Sequence, residues 1–140
     1  MPRVSQPARR RGTTSAARDR AAVERVVADY YESWFAGDQD RMRASLHPDL
    51  AKRSVEQGAG GDPFLSTIGA KDMVEATARG AGKKYPAGHD VVICDIDEDL
   101  ATVKVTSAPY VEYLHLARFG ELWLIVNVLW RRRPNSAPDR

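Results

Sequence analysis

Residues 101–131, ATVKVTSAPYVEYLHLARFGELWLIVNVLWR, limit the possible folds more than any other stretch of this chain. β-Branched and aromatic residues fill two long runs joined at Phe119-Gly120-Glu121, a pattern that favours strands and a tight turn. A strand sends successive side chains to opposite faces, so parity sorts the polar residues within these runs. Tyr113 and His115 share one face and Glu112 takes the other, while Asn127 interrupts a run that is otherwise apolar from Leu122 to Trp130. Some of these groups must face whatever the sheet encloses.

Upstream, Ala22, Val23, Val26, Val27, Tyr30, Tyr31, Trp34 and Phe35 recur at helical spacing, which predicts an amphipathic helix beginning near Asp19 and ending at Gly37. Asp38 can cap a short second helix through Leu46, which Pro48 stops. A single strand over residues 50–55 is expected next, then a glycine-rich loop from Gln57 to Asp62. A third helix opens at Ser66 or Thr67 and closes at Gly80 and Gly82, and a strand over residues 91–96 turns at Asp97-Glu98-Asp99 into the two closing runs. Ser107-Ala108-Pro109 reads as a bend within the first of those runs, because proline cannot donate to a ladder.

Helices first and hairpin-linked strands last predict an α+β fold, with three N-terminal helices packed on one face of a strongly curved antiparallel sheet. At 140 residues the chain is expected to be one domain, spanning residues 19–131. The flanks differ in charge. Arg3, Arg9, Arg10, Arg11 and Arg18 precede that domain, and Arg131, Arg132, Arg133 and Arg140 close the chain, so a net charge of +2 conceals an acidic middle. Without aromatic residues or periodicity, residues 1–18 read as a disordered basic arm and 132–140 as a flexible basic tail, and nucleic acid is not the expected partner. Cys94, the sole cysteine, sits in an apolar run and reads as a small buried hydrophobe. No apolar span suggests export or a membrane, so the cytosol is the expected setting.

The helix end Trp34-Phe35-Ala36-Gly37-Asp38, the Leu46-His47-Pro48 junction and the closing residues 123–130 together resemble the nuclear transport factor 2-like superfamily. Within it, LHPDLAKR at 46–53, YVEYLHLAR at 110–118 and IVNVLW at 125–130 are similar to the putative lumazine-binding branch, with polyketide cyclases close by. The resemblance covers about residues 20–131 and implies a cystatin-like cone with a central pocket. The superfamily it points to includes ketosteroid isomerases, scytalone dehydratases, limonene epoxide hydrolases and polyketide cyclases, alongside transport and scaffold proteins. Fold alone does not choose among these.

The candidate chemistry follows from parity and residue type. Histidine as a residue type exchanges protons near neutrality and a phenol donates hydrogen bonds, so His115 and Tyr113 form an acid–base pair if their face is concave, or dimer contacts if it is the outer one. His47 is expected at a helix end by the pocket, as a second candidate acid or base or as a structural residue. Asn127 either holds a ligand oxygen or locks to a neighbouring strand. Tyr30 and Trp34, on the apolar side of the first helix, either pack the core or also line the pocket wall to bind substrate. Glu112 has the wrong parity to join Tyr113 and His115, and Asp95 shares a face with Val91 and Ile93 near a solvated strand end. Arg53 pairs with a substrate acid or with Glu56.

No metal site is expected, since His47, His89 and His115 lack ligand spacing. Gly58-Ala59-Gly60-Gly61 is followed by Asp62-Pro63 rather than a Lys-Ser/Thr pair, which makes a weak phosphate cradle. The sequence therefore points to a cofactor-free pocket for an apolar carbonyl- or hydroxyl-bearing molecule, used for isomerase, lyase, cyclase or hydrolase chemistry or for binding alone. Trp123 and Trp130, at opposite parity, predict that both sheet faces are covered, the outer one by a second copy in a homodimer.

Overall fold

The computed structural model describes residues 13–134. Helix α1 (Thr13–Ala36) and helix α2 (Gln39–Ser45) lead into strand β1 (Leu46–Gln57). A single 3-10 turn (Ala59–Gly61) then connects to β2 (Pro63–Ile68) and helix α3 (Ala70–Ala78). Strands β3 (His89–Asp97), β4 (Leu100–Ser107), β5 (Tyr110–Phe119) and β6 (Leu122–Arg132) complete one six-stranded sheet in the order β2-β1-β6-β5-β4-β3. Every pairing is antiparallel except that of β1 with β6. Those two strands are separated by α3 and four strands, so no hairpin dictates their relative direction.

α1 buries Val23, Val27, Tyr30, Tyr31 and Phe35, a spacing that lays one stripe along the sheet. It contacts both β6 and β3, and so crosses strands from the middle of the sheet to its edge. Gly37, at φ 76°, ends it, with the Gly37 and Asp38 N–H groups both donating to the Ser33 carbonyl at 2.8 and 2.9 Å. Asp38 then caps α2 by accepting from the Arg41 N–H at 3.2 Å. Arg41 returns to α1, pairing with Asp29 and Glu32. Opposite the helices, the inner sheet face supplies Val103, Val105, Leu114, Leu116, Ile125 and Val128 to the core.

Several boundaries move from their expected places. α1 starts at Thr13, six residues before Asp19, so the part of the basic arm over 13–18 is helical. Residues 1–12 and 135–140, which hold the rest of the arm and most of the tail, lie outside the described residues. Residues 63–68 form β2 where a helix was expected to begin, because PFLSTI is rich in strand formers and pairs with β1 from Lys52↔Ile68 to Gln57↔Pro63. β1 itself extends back to Leu46, which puts His47 in a strand rather than at a helix end. Ser107-Ala108-Pro109 is the turn of a true hairpin: β4 and β5 pair with each other from Leu100↔Ala117 to Thr106↔Val111.

Two bulges reset parity. Between β5 and β6 the register passes from His115↔Asn127 to Leu116↔Ile125, leaving Val126 as the extra residue. Trp123 and Trp130 therefore reach the same, inner face despite their odd spacing, and the indole N–H of Trp123 donates to Asp19 of α1 at 3.2 Å. In β3 the register slips at Cys94, between Ile93↔Val103 and Asp95↔Thr102. The slip separates Asp95 from the face of Val91 and Ile93 and leaves Cys94 exposed and unpaired by any disulfide, not buried. No described helix is long and apolar enough to cross a membrane.

Candidate functional site

Alternation along β1 turns Leu50, Lys52 and Ser54 inward, and along β5 it turns Tyr110, Glu112, Leu114 and Leu116 inward. Strand β6 runs between them, with Val128 in register with Lys52 and Trp130 with Glu112. A lysine and a glutamate are thus brought together across one intervening strand, under the tyrosines of α1. Lys52 Nζ donates to Glu112 Oε1 at 2.8 Å and to the Tyr30 hydroxyl at 2.6 Å. Tyr31 donates to Glu112 Oε2, and the Tyr30 hydroxyl lies 3.4 Å from Oε1. The lysine head is also ringed by aromatic faces, 5.1 Å from the centroid of Trp130, 5.3 Å from Tyr30 and 6.0 Å from Trp34.

Glu112 is 1% exposed and Lys52 8%, so neither charge is solvated by bulk water. Burial pushes the Glu112 carboxyl up to about 8, against a smaller downward pull from Tyr30. It also draws the Lys52 ammonium down to about 7. Desolvation thus favours the neutral carboxyl and the neutral amine, which stand 2.8 Å apart. Tyr30 is held well above the ordinary phenol range, first by burial and then by Glu112. Tyr110 is pushed up to about 12, again chiefly by burial. Both phenols stay protonated as donors.

Two adjoining cavities meet at Lys52, Trp34 and Tyr110. The inner one, about 10 Å³, is completed by Tyr30, Tyr31 and Glu112 and is close to the size of a single water site. The outer one, about 160 Å³, is walled by Ile68, Met73 and Trp130 and rimmed by Tyr85, Lys84 and Arg132. An apolar void of that size is enough for a molecule about as large as benzene. The indole Nε1 of Trp34 is buried and meets no partner with hydrogen-bond geometry, although Tyr110 is close by. A larger hollow, about 780 Å³, lies against the start of α1 and β3, but it is shallow and Asp19 is its single buried charge.

Of the residues expected from sequence, Trp34 lines both cavities and Tyr30 the inner one. Tyr113, His115 and Asn127 are exposed on the outer face, and their expected pocket position is corrected by the parity that turns Glu112 inward. His115 and Asn127 are register partners there, and Tyr113 lies under the Lys104 ammonium at 5.7 Å. His47 touches none of these cavities: its Nδ1 accepts from the Asp49 N–H at 2.9 Å and its ring packs on Phe119 at 4.8 Å. Arg53, next to Lys52, is exposed.

Lys52, Tyr31 and Tyr110 are not among the site residues expected from sequence, and the parity of Glu112 is opposite to that of Tyr113 and His115. The usable signal is the same in both strands: a charged residue beside leucines of its own parity, Lys52 with Leu50 and Glu112 with Leu114 and Leu116, whereas Glu56 and Arg118 share that parity only near the strand ends. Among the described residues, no group of three or more His, Cys, Asp or Glu side chains is placed to hold a metal ion.

With this geometry in hand, comparison with known proteins identifies the frame. The same fold occurs in a nuclear transport factor 2-like protein of unknown function from Silicibacter pomeroyi, with a TM-score of 0.64 at 14% identity, covering 84% of this chain and 98% of that one. A protein with a cystatin-like fold from Nostoc punctiforme matches with a TM-score of 0.61 at 16% identity, over 82% and 77% of the two chains. A putative scytalone dehydratase from Novosphingobium aromaticivorans matches with a TM-score of 0.60 at 16% identity, over 91% and 93%. No curated protein matches the chain. Residues 18–131 match the family described as putative lumazine-binding. That match spans the helices, the sheet and both partners of the buried pair, and the chain belongs to this family, on the nuclear transport factor 2-like fold.

Proposed function

We propose that the protein is a cofactor-independent acid–base enzyme, of isomerase, dehydratase, cyclase or hydrolase type, acting on a small apolar molecule that bears a carbonyl or hydroxyl group. The observation that carries this reading is the 2.8 Å contact between Lys52 and Glu112 at the junction of the two cavities. A protonated carboxyl and a free amine, both titrating near neutrality, suit proton transfer in both directions. In this scheme Glu112 gives its proton to the substrate oxygen while Lys52 removes one from carbon or from water. Trp34 Nε1 and the Tyr110 hydroxyl hold the oxygen that gains charge. Tyr30 and Tyr31 fix the carboxyl. The family description and a fold neighbour bearing a dehydratase name support a ligand pocket.

In this reading Glu112, Lys52, Tyr110 and Trp34 hold the acid–base and oxygen-binding roles that the sequence suggests for His115, His47, Tyr113 and Asn127. Tyr113 and Asn127 then belong to a homodimer contact through the outer sheet face, beside Val92, Leu100 and Leu129, which are 57%, 59% and 54% exposed. Cross-strand register aligns Arg53, Leu129, Tyr113, Lys104 and Val92 in one row across that face. A reducing, cytosolic setting is part of the same proposal, supported by the single free cysteine.

Hydrogen–deuterium exchange at the α-carbons of cyclohexanone and similar small ketones, followed by NMR in D₂O, tests the chemistry without knowledge of the natural substrate. Wild-type protein accelerates exchange and Glu112→Gln abolishes the gain. Ketone binding with no acceleration by wild-type protein would instead favour a non-catalytic carrier, the reading suggested by an inner cavity too small for more than water.

A further inference from the structure

The outer cavity has an uneven charge. Lys52, Lys84 and Arg132 line it, and no aspartate or glutamate does. Arg132 is held at the rim by donating from Nη1 to the Tyr85 hydroxyl at 2.7 Å, and Lys84 stands 5.7 Å over the same ring. A ligand entering here passes two fixed cations and then meets an amine at the inner end, with a carboxyl 2.8 Å behind it. The cations attract an anionic group, and Arg132 suits a carboxylate. The buried amine suits a different group: a carbonyl carbon. Both demands are met by one ligand class small enough for about 160 Å³.

We propose that this cavity binds a small oxo acid, carboxylate outward on Arg132 and Lys84, and that Lys52 condenses with its carbonyl to form a Schiff base. The inference rests on the acid–base reading of the Lys52–Glu112 pair and adds a covalent step to it. The amine lone pair forms a C–N bond as the carbonyl π bond breaks, and the oxygen takes the Glu112 proton. The Glu112 carboxylate then removes a proton from the new ammonium nitrogen, leaving a neutral carbinolamine. Returned to the hydroxyl, that proton lets the C–O bond break, water leaves, and the nitrogen lone pair closes the C=N bond. The product iminium faces the Glu112 carboxylate, so the buried charge that forms is formed beside its partner. Lys52 is suited to this attack at neutral pH because burial draws its ammonium down to about 7, so about half of it is free amine there, whereas Lys71 is an exposed lysine paired with Glu75.

The test uses the full chain with pyruvate as probe and sodium borohydride, which reduces an iminium to a stable secondary amine that peptide mass mapping can locate. At pH 7 the expected adduct is on Lys52, well above any on Lys71, and Glu112→Gln slows its appearance. Replacing both rim cations, Lys84→Met with Arg132→Met, lowers pyruvate labelling about tenfold. The same double variant leaves labelling by acetone, which lacks the carboxylate, unchanged. Adducts spread evenly over surface lysines would overturn the proposal, as would pyruvate labelling of Lys52 indifferent to the rim cations for the oxo-acid part of it. Because mapping is done on wild-type protein, a variant that fails to fold leaves the main outcome readable. Ketone proton exchange that persists without any Lys52 adduct rejects the Schiff base while sparing the acid–base reading, and loss of both rejects the two together.

Discussion

Two side chains set the energetics of this protein's interior. Glu112 has a folded pKa of about 8 against an ordinary 4.5, so the folded chain keeps a proton that the unfolded chain releases between those values. Stability from this group is full below pH 4.5 and is lost as pH rises to about 8. Lys52 has the opposite sign. Its folded pKa of about 7 lies below the ordinary 10.5, so the unfolded chain binds the extra proton and stability recovers as pH rises from about 7 to 10.5. The pair therefore predicts a shallow stability minimum between about pH 7 and 8 in urea titrations. Replacing both residues, Lys52→Met with Glu112→Leu, removes the minimum and raises stability there by about 1–4 kcal/mol, because no charge is left to desolvate. A wild-type profile that stays flat from pH 5 to 10 would refute this account of the pair.

At the level of elements, the site depends on how closely the segment after α3 approaches α1. A Cβ on Gly82 would lie 2.4 Å from the Trp34 carbonyl oxygen and 2.6 Å from the indole Nε1, distances that backbone cannot absorb without shifting. Gly82→Ala is therefore expected to cost about 1–3 kcal/mol by overpacking, read as a lower urea midpoint at unchanged slope. It also displaces the Trp34 ring from the cavity wall. The wild-type midpoint in that variant would show that the approach is looser than described. The glycines near Gly80 and Gly82 were legible in the sequence as a helix end, but their contact with Trp34 was not, since nothing local in the chain pairs position 82 with position 34.

On the scale of the whole molecule, the sheet is covered by helices on one side only. The outer face leaves Val92, Tyr113 and Leu129 exposed in one row with Arg53 and Lys104, and Leu100 exposed at the start of β4. In the proposed homodimer this exposed apolar field is the part of the surface that a second copy covers. Light scattering after size exclusion is expected to give the mass of two chains for wild-type protein and of one for Leu129→Arg with Tyr113→Glu, with unchanged far-UV circular dichroism. A wild-type monomer at every concentration tested would remove the homodimer from the proposal.

The sequence alone determined the class of fold and most of its elements, because the signals are local: helical spacing in α1, strand formers in the closing runs, and turn residues at Asp97-Glu98-Asp99 and Phe119-Gly120-Glu121. It also determined that Glu112 opposes Tyr113 and His115, since parity within one strand needs no partner. Which of those two faces is enclosed was decided only by tertiary structure. That choice depends on the side from which α1 packs, on bulges at Val126 and Cys94 that strand propensity does not announce, and on a parallel β1–β6 pairing that, with β5 on the far side of β6, brings together Lys52 and Glu112 from 60 positions apart. A buried charge pair is a property of two distant segments at once, and neither segment carries its signature alone.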